Sequence, residues 1–143
     1  MTETPLYRGE QIKRLIPQRE PIIMVDAFYE ATDKECRTGL TVTSENIFCK
    51  NNSMEPVGLI EHIAQSASAH TGYMAMAANL PAPVGYIGEI KNFNCHRSVS
   101  VGDKLSTTII LKTQVLNILM IDAETKVNGE IAATCQMKIS IEN

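Results

Sequence analysis

Residues 55–79, EPVGLIEHIAQSASAHTGYMAMAAN, decide how this chain folds. The stretch is rich in Ala and Met, both good helix formers, and Pro56 stands where a first-turn proline is tolerated. Asn79 and Pro81 supply the stop signals. No charged residue interrupts it after Glu61. A helix apolar nearly all round belongs inside a protein. Its small residues Ala64, Ser66, Ala67, Ser68, Ala69 and Gly72 let other backbone approach closely.

Everything around this helix reads as strand or turn. A short helix near residues 9–15 ends at Pro17, and residues 21–31 and 36–43 read as two strands. Residues 44–53 read as a loop. After the helix come strands at 83–95, 104–114, 115–127 and 130–141. Gly85 and Gly88 mark possible bulges, residues 101–103 a turn, and Asn128-Gly129 a tight hairpin. One helix is available to cover one face of an antiparallel sheet, so the expected class is α+β. The sheet should wrap around the helix in the hotdog arrangement, as one domain over residues 1–143. Open sheet edges invite a second protomer, so a dimer is expected.

With 44% hydrophobic and 20% charged residues, the 143-residue chain has a globular balance. Its net charge of −3 argues against a nucleic-acid binder that relies on a broad basic face. No apolar run reaches the roughly 20 residues of a membrane span, and the polar start lacks a signal core, so a cytoplasmic location is expected. Cys36, Cys49, Cys95 and Cys135 are scattered and read as structural thiols. His62 and His70 fall roughly 80° apart on the helix, so no metal site and no cofactor are expected. Each reads as a core histidine, and His96 as a solvated one. Lys50, Lys91 and Arg97 read as scattered surface cations.

Glu61 demands an explanation, because carboxylates are seldom buried unless paired or used. One reading is a helix-start glutamate that favours the dipole and reaches water. The other is a carboxyl in an apolar cavity, suited to acid–base work. Gln65, Ser68 and Gly72 share its stripe of the helix, as one wall of a ligand tunnel or as a close protomer contact. Gly58, one turn earlier, has two readings as well: a backbone N–H that polarises a thioester oxygen, or a close-packing glycine.

Several segments resemble the 3-hydroxyacyl-acyl-carrier-protein dehydratases. Ile16-Pro17-Gln18-Arg19-Glu20-Pro21 with Met24-Val25-Asp26 resembles that family's Leu-Pro-His-Arg-x-Pro and Leu-Val-Asp opening. Glu61-His62-Ile63-Ala64-Gln65 resembles its Glu-x-Met-Ala-Gln, and the 85–93, 99–105 and 128–132 segments resemble its later strand, turn and hairpin. The resemblance implies a hotdog dimer that removes water from a 3-hydroxyacyl thioester. It makes Glu61 the catalytic carboxylate, Gln65 its support and Gly58 a neighbour of the oxyanion donor. Asn52 and Gly88 complete the expected substrate-binding set.

The family's loop histidine is missing, because no histidine precedes Glu61; Asn51, Asn52 or Ser53 stands in its place. Gln18 replaces the early motif histidine, and an amide is no general base. In its shortened loop the chain is also similar to divergent dehydratase-like proteins of aryl polyene pathways. Three functions follow: a dehydratase centred on Glu61, a thioesterase in which Gln65 or Asn52 orients the attack, or a degenerate subunit. The expected partners are an acyl-carrier-protein or coenzyme A thioester, and a second copy or a histidine-bearing homologue.

Overall fold

The long helix forms over Pro56–Ala77 (α1) in a computed structural model that describes residues 4–142. Glu55 is extended and leads into Pro56 at the first turn. Beyond the last turn Asn79 takes a left-handed backbone (φ 57°) that ends the helix.

Around α1 runs a seven-stranded antiparallel sheet. In chain order the strands are β1 (Tyr7–Arg8), β2 (Ala27–Ala31), β3 (Glu35–Thr41), β4 (Cys49–Lys50), β5 (Ser53–Met54), β6 (Val84–Cys95), β7 (Lys104–Val115), β8 (Ile118–Val127) and β9 (Glu130–Glu142). The sheet order is β1-β2-β3-β7-β8-β9-β6, with β4 and β5 forming a separate small hairpin. This is the hotdog arrangement. The chain leaves β3, passes through α1, and returns at the far edge as β6.

Period-two alternation builds the wall that faces the helix. On β8, Leu119, Ile121, Ala123, Thr125 and Val127 point inward and are buried. Ile63, Ala67 and Ala69 of α1 share one core cluster with Ile109, Ile121, Ala123, Cys135 and Met137. A second cluster gathers Met24, Val42, Met54, Leu59, Leu105 and Val127. The Asn128-Gly129 hairpin has both central residues at positive φ (53° and 79°), the primed turn that matches strand twist. The Gly88 region is a bulge on β6, where the register with β9 slips between Ile87 and Glu89.

Four elements differ from the sequence reading, the first being β1, an unpredicted strand that pairs with β2. The strand expected at 21–31 begins only at Ala27, because the Ile22 carbonyl and both backbone groups of Met24 bond to helix side chains and not to a neighbouring strand. The loop at 44–53 holds the β4–β5 hairpin, whose turn residues Asn51 and Asn52 both have positive φ. The strands expected to meet at 114/115 are separated by a turn at Leu116, which adopts φ 56° without being glycine.

Gly72 shows how tightly α1 is held. A methyl group there would run into the backbone carbonyl of Leu15, which cannot yield as a flexible side chain can. Gly72→Ala is expected to cost about 2–3 kcal/mol, read as a lower urea midpoint with an unchanged slope.

Candidate active site

Glu61 lies in the second turn of α1, half-buried, at the side of a cavity of about 260 Å³. Ala64, Ala67, Ser68 and Thr71 continue the helix wall, Pro17 and Gln18 form one rim, and Gly85, Tyr86 and Ile87 of β6 form another. Among the lining residues Glu61 alone carries a formal charge at neutral pH. The cavity shares Ala67, Thr71, Pro83 and Ile141 with a second, more apolar one of about 1050 Å³ towards the far end of the helix.

The carboxylate does not dangle. Gln65, one turn further on and fully buried, donates from Nε2 to Glu61 Oε2 at 2.7 Å. The same nitrogen donates to the Ile22 carbonyl at 2.8 Å, while Gln65 Oε1 accepts the Met24 N–H at 2.6 Å. A backbone N–H can only donate, so these partners fix which end of the amide faces the carboxylate. The irregular 22–24 segment thus holds Gln65, and Gln65 holds Glu61.

The expected stripe is divided between two neighbours. At roughly 100° per residue, Ala64, Ala67 and Thr71 lie to one side of Glu61 and Gln65 and Gly72 to the other. The first set, with Ser68, faces the cavity. Gln65 and Gly72 face the chain between Leu15 and Met24.

Of the remaining expected residues, Gly58 is buried, and a Cβ there would lie 2.6 Å from Phe48 and 2.8 Å from Met54. The packing reading of this glycine is therefore visible directly. Its N–H already donates to Glu55 O at 2.8 Å, so a thioester oxygen would have to share or displace that bond. Asn52 is exposed at the tip of the β4–β5 hairpin, and Gly88 is exposed on β6; neither lines the cavity within this chain. Arg97 is paired with Glu130 at 2.8 Å, and Lys91 lies 3.8 Å from Glu89.

No histidine lines the smaller cavity beside Glu61, while His70 lines the larger one. His62 is fully buried, with Nδ1 2.6 Å from Met24 O and Nε2 2.7 Å from Thr107 Oγ1. His70 meets Thr32 O at 2.7 Å, and His96 is exposed. Among the described residues no group of His, Cys, Asp or Glu is arranged to hold a metal ion. Burial pushes the Cys36 thiol up to about 12 and the Cys135 thiol up to about 11, so both stay protonated and unreactive at neutral pH. No helix among the described residues is long and apolar enough to cross a membrane. The role of Gln18 as a rim residue was missed at the sequence level, although its place in the opening motif marked it.

Residues 10–142 match the family model of the ApeP-like dehydratases, so the chain belongs to that family. The 3-hydroxyacyl-[acyl-carrier-protein] dehydratase FabZ of Pseudothermotoga lettingae is 28% identical over 137 residues, covering 92% of this chain and 94% of that protein. The FabZ of Exiguobacterium sibiricum is 28% identical over 143 residues, covering 96% and 100%. Among solved structures, a chain of the dehydratase heterocomplex ApeI:P from Xenorhabdus doucetiae superposes with a TM-score of 0.86 at 16% identity, covering 99% of this chain and 93% of that one. A hypothetical thioesterase from Streptococcus pneumoniae TIGR4, solved with coenzyme A, gives 0.66 at 9% identity, covering 81% and 84%. At such identities these two likenesses speak for the hotdog fold alone.

The buried imidazole makes a pH prediction. Burial lowers the His62 pKa from 6.5 to about 4. Below pH 6.5 the unfolded chain takes up a proton that the folded one refuses, so stability falls as pH drops from about 6.5 to 4. The loss amounts to about 3 kcal/mol. Urea midpoints for the native chain and His62→Gln, each compared between pH 7.5 and pH 4.5, should show a smaller acid loss in the variant.

Proposed function

We propose that the chain acts on 3-hydroxyacyl thioesters of an acyl carrier protein and that Glu61 moves the proton when water is eliminated. In this reaction the C2–H bond and the C3–O bond break, a C2–C3 double bond forms, and the C2 proton's equivalent leaves with the hydroxyl as water. A carboxylate can take up the first proton, and its acid form can supply the second. The observation that carries the reading is the Glu61 carboxylate, held by Gln65 at the side of a cavity whose other walls are uncharged. Family membership and the FabZ relatives support the same substrate class.

The cavity also favours a second subunit. Its β6 wall belongs to an outer strand of the sheet, where Val84, Tyr86, Ile87 and Ile90 are exposed. A second chain pairing along β6 covers these side chains and closes the cavity on that side. With His62 bound between Met24 and Thr107, and His70 bonded to Thr32 at the wall of the larger cavity and not beside Glu61, a histidine-bearing homologue is the partner that adds a separate base next to the carboxylate. The heterocomplex named for the ApeI:P neighbour supports that arrangement.

The test is incubation of the purified chain, alone and with a histidine-bearing homologue, with 3-hydroxyacyl and enoyl carrier-protein thioesters, followed by mass spectrometry. Interconversion of the two by loss or gain of water is expected, lowered by about 10²–10⁴-fold in Glu61→Gln. Dehydration that persists in that variant contradicts the role of Glu61. Release of free carrier thiol contradicts dehydration and favours a thioesterase.

A further inference from the structure

We infer that His62 is a positioning residue for Glu61, acting through the backbone of Met24; this rests on the proposed role of Glu61. The two side chains are neighbours in sequence but point in different directions, roughly 100° apart around the helix. They meet again through the chain that packs on α1. His62 Nδ1 is 2.6 Å from the Met24 carbonyl, and the Met24 N–H donates to Gln65 Oε1 at 2.6 Å. Gln65 then donates to Glu61 at 2.7 Å.

The partners determine every proton in this series. The Met24 carbonyl can only accept, so Nδ1 carries the hydrogen of a neutral imidazole. Nε2 is then an acceptor, and the Thr107 hydroxyl, 2.7 Å away, donates to it. Thr107 has spent its hydrogen, so Thr125, also at 2.7 Å, donates to Thr107. His62, Thr107, Thr125 and Gln65 are all fully buried, where an unmade hydrogen bond costs its full desolvation.

The result is a strut. β7 and β8 hold the imidazole, the imidazole holds the Met24 carbonyl, and the Met24 N–H holds the amide that orients the carboxylate. Met24 belongs to an irregular segment with no strand partner of its own, so these side-chain bonds replace the missing sheet ladder. Remove the imidazole and Met24 loses one of its two ties to α1. Gln65 Oε1 then loses its fixed donor, and the carboxylate its orientation. A displacement of about 1 Å at a reacting group costs on the order of 10²-fold in rate.

Two readouts test this, made on the chain in whichever assembly dehydrates the thioester. In kinetics, His62→Phe should lower kcat by about 10–100-fold with little change in KM. His62→Gln, which keeps one donor and one acceptor, should retain more activity than the Phe variant. Thr107→Val should behave like His62→Phe, and Thr107→Ser like the native chain; this pair serves if His62→Phe fails to fold. In 15N NMR, the Gln65 side-chain amide protons should exchange slowly in the native chain and faster in His62→Phe and Thr107→Val. Folded variants with native kcat and unchanged Gln65 amide signals would overturn the inference. If the native assembly shows no dehydration at all, the proposed reaction fails, and the Gln65 signals alone then decide whether His62 positions Glu61.

Discussion

One buried carboxamide ties this molecule together. Gln65 uses its oxygen and its nitrogen at once, accepting from Met24 and donating to Ile22 and to Glu61. That single side chain anchors an extended segment that no strand pairs with, and it turns an acidic group towards a cavity. An apolar residue at position 65 would leave the Met24 N–H and the Ile22 carbonyl without these partners and the carboxylate without a support. In a closed interior each such loss costs about 1–3 kcal/mol. Fold and site therefore depend on the same atoms.

The hotdog topology explains why the site lies where it does. One helix can cover the inner face of the sheet, but it cannot also cover the edges. The cavity forms where α1, the 17–18 rim and the outer strand β6 come together, against an edge that sheet pairing leaves open. Under the proposed arrangement a second chain paired along β6 would supply the other side of this pocket, opposite Glu61 and its amide support. The missing loop histidine belongs to the same picture: Asn51 and Asn52 close a tight hairpin with left-handed backbone, a geometry that asparagine tolerates.

Much of this was legible in the sequence, for identifiable reasons. The helix announced itself through length, a first-turn proline and an asparagine stop. Asn128-Gly129 specified its own turn. Glu61 stood out as the last charge on an apolar helix, and the Glu-x-x-x-Gln spacing placed Gln65 one turn away. Residues 21–26 misled because an apolar run reads the same whether its backbone bonds to a strand or to buried side chains. Only tertiary contact distinguishes them, and here Gln65 and His62 do so. The split of the helix stripe was equally hidden, since periodicity gives a direction but not the neighbour found there. Leu116 was missed because nothing about leucine signals a left-handed turn.

The central claim is that the Glu61 carboxylate, held by Gln65, faces the reacting carbons of a thioester. A crystal structure with an amide-linked 3-hydroxyacyl pantetheine analogue, soaked into the assembled protein, addresses it most directly. The acyl chain should run along α1, with its C3 hydroxyl or C2 within hydrogen-bonding or contact distance of Glu61 and the Gln65 bond intact. An analogue seated elsewhere, with the carboxylate turned to solvent, would contradict the account.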